Sequence, residues 1–119
     1  MPIYRATILC FLIVASTAYA QQKLTAAEAA KHEGERATVC GSAASVHTAM
    51  LSRGEPTFIN LDKPYPNEVF SAPVWGDDRS QVGALPKNGD HVCVTGKISD
   101  YKGTPEIVVR DAKSLAIKP

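Results

Sequence analysis

Cysteines are the most reactive side chains in this sequence of 119 residues, and two of the three lie well beyond the N-terminal segment. Cys40 and Cys93 each stand in a run that alternates apolar and polar residues, on the polar side of the run. Such a pair is typical of a disulfide in an exported chain, with two free thiols or a redox pair as the alternatives. A zinc site would need more ligands at shorter spacing.

The N-terminal segment has the three parts of a secretory signal peptide. Arg5 supplies a positive start, residues 8–15 are mostly apolar, and Ala18-Tyr19-Ala20 forms a cleavage pattern before Gln21. The apolar run is too short for a retained membrane span. We therefore predict a signal peptide over residues 1–20 and a periplasmic or secreted mature chain. Cys10 lies inside this segment, and the residue before it is not the small one that lipidation requires.

Aromatic and basic side chains form the candidate binding set. Large rings stack on the bases of a single strand, and lysine and arginine contact its phosphates. Phe58 and Trp75 occupy outward positions of their strands, although both rings also have a structural interpretation as packing residues. The predicted ligand-binding residues are Arg53, Phe58, Asn60, Trp75, Lys97, Tyr101, Lys102 and Arg110.

The other polar residues predict no catalytic or metal centre. The adjacent acids Asp77 and Asp78 are expected to cap a turn, because they do not belong to a closely spaced loop of oxygen ligands. The three histidines are isolated, no serine has a nucleophile-elbow context, and no glycine-rich phosphate loop occurs. We therefore expect no enzyme activity, no metal site and no cofactor.

Charge balance limits the possible partners. The chain has 13 Lys+Arg against 12 Asp+Glu, and the loss of Arg5 with the signal leaves 99 residues with 12 of each sign. Proteins that bind duplex DNA usually show a basic footprint. Binding of single-stranded DNA or RNA is therefore expected to be weak and salt-sensitive.

Five strands and two helical segments are predicted to position these residues. A capping box from Thr25 to Glu28 begins a helix over about 25–33, within a lead-in of residues 21–35. Pro73 is expected to make the third strand edge-like or broken. The strands are predicted at about 37–50, with a bulge near 41–44, and at 57–62, 69–75, 91–98 and 106–110, with a short helix at 79–85 and a tail at 113–118.

This order of elements matches the OB fold, a five-stranded Greek-key barrel. We therefore expect an all-β domain with short helices over residues 36–119. In that topology the first and fourth strands are neighbours, which would bring Cys93 to Cys40. Ligands bind across the second and third strands and the loops after the first and fourth.

The sequence also resembles small exported bacterial OB-fold proteins, and it is similar to the anticodon-binding and helicase type of OB domain. The resemblance is carried by residues 33–41, 56–61, 74–79, 92–98 and 101–107, and covers about 30–112.

Together, the residues and the resemblance lead us to expect an exported, non-catalytic protein that binds single-stranded nucleic acid or a related anionic ligand. The alternative is an envelope stress or interaction module that binds a protein, glycan or small cation through the same face. A continuous positive groove across Phe58 and Trp75 would favour the first, and a neutral or acidic groove the second.

Overall fold

The structure is a computed structural model that describes residues 2–4, 6–13 and 22–118. The predicted cleavage site lies outside the described residues, and residues 2–4 and 6–13 form no helix or strand. From residue 22 onward the chain is mostly β with short helices, as predicted. Within the described residues, no helix is long and apolar enough to cross a membrane.

Eight strands and four short helical segments occur between residues 22 and 118. The strands are β1 (Lys23–Thr25), β2 (Arg36–Thr48), β3 (Thr57–Leu61), β4 (Ser71–Val74), β5 (His91–Lys97), β6 (Ser99–Tyr101), β7 (Thr104–Glu106) and β8 (Leu115–Lys118). The helical segments are 3₁₀ turns at Ala29–His32, Gly76–Asp78 and Ala112–Ser114, and one α-helical turn, α1 (Arg79–Val82).

The lead-in before β2 contains less helix than predicted and one additional strand. The capping box is present: the Thr25 N–H donates to the Glu28 carboxylate at 3.0 Å, and the Glu28 N–H donates to the Thr25 hydroxyl at 3.3 Å. Only a 3₁₀ turn follows, and it ends before Gly34, which takes a positive φ of 85°. Residues Lys23–Thr25, at the start of the lead-in, form β1 because their parallel pairing with β2 buries Leu24 in the core.

The longest strand, β2, bends where the bulge was predicted. The pairing register shifts between Ala43 and Ser45, so residues 36–42 pair with β5 and residues 43–48 pair with β3. Near the bend, Gly41 leaves room for Asp62, because a Cβ at Gly41 would lie 2.6 Å from Oδ1 of that carboxylate. The same oxygen accepts the N–H of Ser42 at 2.9 Å. One strand therefore belongs to both halves of the sheet.

The strands form an open sheet in the order β6-β7-β4-β3-β2-β5-β8, with β1 paired to β2. The sequence predicts a five-stranded Greek-key barrel, whereas the structure has eight strands in an open sheet. Ile98 explains one of the additional strands. Its N–H donates to the Glu35 carbonyl at 2.9 Å, and its carbonyl accepts the Gly34 N–H at 2.7 Å. The lead-in thus occupies the backbone of Ile98 and separates β5 from β6, a short strand that follows the predicted fourth strand and extends into the predicted turn.

The predicted fifth strand, residues 106–110, is displaced in the structure, where the regular strand β7 is Thr104–Glu106 and the two share only Glu106. The chain still runs beside β4 after β7 ends, because Ile107 donates its N–H to the Ser71 carbonyl at 3.2 Å and Val109 to the Pro73 carbonyl at 3.0 Å. Pro73 has no N–H to return, so the ladder is not completed. The C-terminal tail forms β8 against β5 and does not extend β7.

The core is built from the inward faces of these strands, and Phe70 is its largest fully buried member. Val82 of α1 adds to the core from the helical connection between β4 and β5. The alternation predicted for the strands is confirmed by complete burial of Val39, Ile59, Leu61, Ala72, Val74, Val92 and Val94. The opposite face is half-buried or exposed along β5 and along β2 before its bend, whereas Asn60 and Ser71 on β3 and β4 are buried.

Cys40 and Cys93 are disulfide-bonded, as predicted. The two residues are direct partners in the β2–β5 ladder, with Cα atoms 4.1 Å apart, and they are 53 positions apart in the sequence. The bond therefore joins two neighbouring strands that are far apart along the chain.

Replacing both bonded cysteines by serine (Cys40→Ser with Cys93→Ser) is expected to lower the free energy of unfolding by about 4 kcal/mol, because the unfolded chain regains the entropy of the open loop. Urea unfolding followed by Trp75 fluorescence measures the change. Cys10→Ser, which alters an exposed free cysteine, is the control and is expected to leave stability unchanged. A loss of less than about 1 kcal/mol in the double variant would contradict the expectation.

Candidate ligand-binding face

Four aromatic rings line one groove on the outer face of β3, β4 and the β6–β7 hairpin. The groove consists of two adjoining clefts of about 240 and 280 Å³, which share Phe58, Tyr101 and Glu106. Trp75 lines one cleft and Tyr65 the other. We call this the aromatic groove, and its full lining is Ser52, Arg53, Pro56, Phe58, Tyr65, Glu68, Ser71, Pro73, Trp75, Tyr101, Lys102, Thr104 and Glu106.

The loop between β2 and β3 holds Trp75 in place. Gly54 lies against the indole, because a Cβ at Gly54 would stand 2.9 Å from Cε3 of the ring. Gly54 has a positive φ of 79°, and its carbonyl accepts the Gly76 N–H at 2.8 Å. Arg79 fastens the same loop by donating to the Glu55 carbonyl at 2.8 Å. The indole thus rests on a fixed loop and remains 41% exposed at the groove.

The tip of the β6–β7 hairpin forms the opposite lip. Tyr101 is 59% exposed. Lys102 and Gly103 make the turn with positive φ values of 50° and 88°, and the Asp100 carboxylate accepts the Gly103 N–H at 2.9 Å. The ammonium of Lys102 lies 5.4 Å from the centre of the Tyr101 ring, within the range of a cation–π contact. The hairpin therefore presents a ring and a cation together.

Polar groups without hydrogen-bond partners lie in the floor of the groove. Oε2 of Glu68 and Oγ of Ser71 are buried and have no partner within the described residues. Ser71 pairs with Glu106 across β4 and β7. Burial, followed by the nearby charge of Asp100, raises the pKa of Glu106 above its ordinary value. Unpaired buried groups are costly, and these two oxygens lie beneath the lining of the groove, out of contact with solvent.

The charge of the groove is balanced. Arg53 and Lys102 are the basic residues of its lining, and Glu68 and Glu106 are the acidic ones. A continuous positive groove is therefore not present across Phe58 and Trp75, and the lining is close to neutral.

A separate cleft of about 380 Å³ contains the other predicted basic residues. Arg36 and Lys97 are direct partners across β2 and β5, and Arg110 joins them from the segment after β7. Within the described residues none of the three forms an ion pair, and like charges directly opposite one another destabilise a strand pair. The Asp111 carboxylate is engaged by Ser114, whose N–H and hydroxyl donate to it at 3.0 and 3.1 Å. This basic cleft is therefore suited to an anion.

The basic cleft and the aromatic groove lie along the same outer face. Alternation places Lys97, Ser99 and Tyr101 on one side of the chain that forms β5 and β6. Ser99 lines the basic cleft, and its partner Glu106 lines the aromatic groove. At about 3.3 Å per residue, Tyr101 lies about 13 Å from Lys97 along the strand direction. An extended ligand can therefore run from the rings to the cations.

The structure brings together some predicted residues and separates others. The aromatic groove contains Arg53, Phe58, Trp75, Tyr101 and Lys102, whereas the basic cleft contains Lys97 and Arg110.

Alternation places Asn60 on the outer face, and the prediction that it is an accessible ligand-binding residue is wrong. It is 2% exposed, and its amide donates to the Ser45 hydroxyl at 3.0 Å. The reason is the bend of β2, which makes Ser45 the direct partner of Asn60.

Eight lining residues of the aromatic groove were not predicted: Ser52, Pro56, Tyr65, Glu68, Ser71, Pro73, Thr104 and Glu106. Alternation around the buried Ile107 does place Glu106 outward, so the sequence contained a signal for that residue. Alternation with the buried Phe70 and Ala72 likewise places Ser71 outward. Glu68 carried no equivalent signal, because its position depends on how the loop before β4 crosses the sheet.

Glu106→Gln is expected to raise the free energy of unfolding at neutral pH. Since the folded-state pKa of Glu106 is raised, ionisation penalises the folded state, and the penalty develops as pH rises from the ordinary value of 4.5 through the folded pKa. The gain of the variant should therefore disappear below pH 4.5. Urea unfolding of both proteins across pH 3–8 checks this, and an equal difference at every pH would contradict it.

Comparisons with known proteins support only the fold. No family model matches the chain, and no curated protein matches it. Among solved structures, the chain is similar to a protein of Leishmania major Friedlin assigned as an aspartyl-tRNA synthetase, with 10% sequence identity and a TM-score of 0.52 over 88% of this chain. The match spans 22% of that larger chain. At this identity the likeness concerns the fold alone.

Proposed function

We propose that this protein is an exported OB-type binding domain that holds a short stretch of single-stranded nucleic acid, without catalysing a reaction. The main observation in support is that one groove is lined by Phe58, Trp75 and Tyr101, which come from three separate segments of the chain. Aromatic rings on such a face bind successive bases by stacking, which contributes about 1–3 kcal/mol per base.

The pairing of the strands supports the OB assignment. In this assignment the five barrel strands are β2, β3, β4, β5 continued by β6, and β7 continued by residues 107–109. The β4–β7 pair is parallel, whereas the β2–β3, β3–β4, β2–β5 and β6–β7 pairs are antiparallel. Because β5 and β6 are consecutive, the two ends of the barrel path are joined through Ile98. A partly open Greek-key barrel has this connectivity.

The distribution of charge supports binding in which bases are held more strongly than phosphates. The aromatic groove offers two cations, Arg53 and Lys102, and its acids offset them. The basic cleft, about 13 Å further along the same face, is the second place for a phosphate. Carboxylates in the groove floor can accept hydrogen bonds from the amino groups of cytosine or adenine.

Export is supported by the disulfide, because such bonds persist in oxidising compartments. The signal-peptide pattern of the sequence points to the same location.

A second candidate is an envelope interaction module that binds a glycan, a protein segment or a small cation through the aromatic groove. The near-neutral lining favours it. The carboxylates of the lining, on Glu68 and Glu106, would accept hydrogen bonds from sugar hydroxyls or from amines.

Removing a ring from the groove should weaken oligonucleotide binding. Trp75→Ala or Tyr101→Ala is expected to raise Kd by about 5- to 150-fold, which is the loss of one stacked base. Fluorescence anisotropy with labelled single-stranded DNA and RNA at low salt measures this. Tyr101→Phe, which keeps the ring, is the matched control and should bind as the natural chain does.

The same titration separates the two candidates. If the natural chain binds neither DNA nor RNA more tightly than about 10⁻⁴ M, the nucleic-acid proposal is wrong. Binding of oligosaccharides in that case, with the same loss in Trp75→Ala, would support the second candidate.

The salt dependence tests whether the ligand reaches the basic cleft. If Lys97 and Arg110 each contact a phosphate, Lys97→Gln with Arg110→Gln should make the slope of log K against log salt shallower by about 1.4 for a single strand. The control is Lys31→Gln with Lys87→Gln, which removes two exposed charges outside both clefts. Equal slopes in the two double variants would show that the ligand stays in the aromatic groove.

A further inference from the structure

His91 stands beside the disulfide on the outer face of the β2–β5 ladder. The pairs Cys40–Cys93 and Ser42–His91 follow one another on this face. Sγ of Cys93 lies 3.9 Å from Nε2 of His91, and the sulfur atoms and an imidazole nitrogen all lie within 4.8 Å of one another. Neither the aromatic groove nor the basic cleft includes these residues.

Two thiolates and one imidazole form a donor set suited to zinc. Bonds from zinc to sulfur are about 2.3 Å and to imidazole nitrogen about 2.0 Å, so two such ligands of one ion stand no more than about 4.3 Å apart. The separation of 3.9 Å between Cys93 and His91 satisfies this limit. Zinc sites with three protein ligands keep a fourth position for water or another ligand.

We infer that reduction of the Cys40–Cys93 bond converts this cluster into a three-ligand Zn²⁺ site with one open position. This inference goes beyond the proposed function and does not depend on it. The chain would then have two alternative forms at one place on β2 and β5: a covalent bond between the strands, or a metal ion that joins them.

The chemistry of the change is a disulfide exchange followed by metal binding. A dithiol reductant gives two electrons and two protons to the Cys40–Cys93 bond and itself becomes a disulfide. Zn²⁺ then displaces the two thiol protons and binds both sulfurs, while Nε2 of the neutral His91 ring supplies the third ligand.

The surrounding ladder keeps the three side chains together when the bond is open. The register between β2 and β5 extends from the Arg36–Lys97 pair to the Ser42–His91 pair, and the adjacent Thr38 and Thr95 hydroxyls are hydrogen-bonded at 2.8 Å. The partner of Cys93 in β8 is Ala116, so the neighbouring position on that strand carries only a methyl group. Both cysteines are half-buried and His91 is exposed, so an ion can enter from solvent.

The test uses the full chain carrying Cys10→Ser, so that Cys40 and Cys93 are its only cysteines. The protein is reduced with dithiothreitol, desalted without oxygen and titrated with Co²⁺, a spectroscopic substitute for Zn²⁺. We expect one Co²⁺ per chain, with thiolate-to-cobalt absorption and tetrahedral d–d bands that Zn²⁺ abolishes. The oxidised protein should show neither signal.

His91→Ala tests the third ligand. Since even the loss of an outer-shell partner weakens metal sites about 10- to 100-fold, this variant should lower affinity at least ~10-fold. His47→Ala, an exposed histidine elsewhere on β2, is the matched control and should bind normally. Circular dichroism of the reduced protein tests whether the ladder persists.

Three results would overturn the inference: equal binding by the oxidised and reduced proteins, equal affinity of His91→Ala and the unsubstituted reduced chain, or loss of the β-sheet signal on reduction with no recovery when Zn²⁺ is added.

Discussion

The bend of β2 is the constraint on which the rest of the structure depends. A single strand of 13 residues pairs with β5 before the bulge and with β3 after it. A straight strand could not serve both partners, because the two halves of the sheet face different directions around the core. The bulge adds the residue that changes the register and increases the local twist. Gly41 makes the bend possible by letting the Asp62 carboxylate approach the backbone.

The aromatic groove follows from this arrangement, because its walls come from segments that only the folded sheet brings together. The loop after β2 carries Arg53 and supports Trp75, β3 supplies Phe58, and the β6–β7 hairpin supplies Tyr101. The parallel pairing of β4 with β7 connects the hairpin to the other wall. After β7, the N–H groups of Ile107 and Val109 donate to carbonyls of β4. Pro73 of β4 has no N–H and therefore donates no hydrogen bond to this segment.

The outer face divides its chemistry between two places. Rings and balanced charges occupy the aromatic groove. The basic cleft holds three cations beside the Asp111 carboxylate, and none of the three forms an ion pair within the part of the chain that the structure describes. A zero net charge for residues 21–119 therefore conceals a local concentration of positive charge. Short-range stacking is little affected by salt, whereas contacts to phosphate are strongly screened. Composition alone describes the sum of these charges and not their separation.

The sequence by itself determined the features that depend on neighbouring residues: the inward faces of the strands, the capping box at Thr25 and the bulge in β2. Local periodicity and hydrogen bonding between close residues decide these features. The pairing of Cys40 with Cys93 was also predicted, but from the even number of cysteines in an exported chain and from the expected topology, because 53 positions separate the two residues. Only the tertiary structure decided the break at Ile98, the burial of Asn60, the separation of Lys97 from the rings and the place of His91 beside the disulfide. Each of these depends on which backbone or side chain lies opposite across the sheet, and partners that are distant in sequence leave no local pattern.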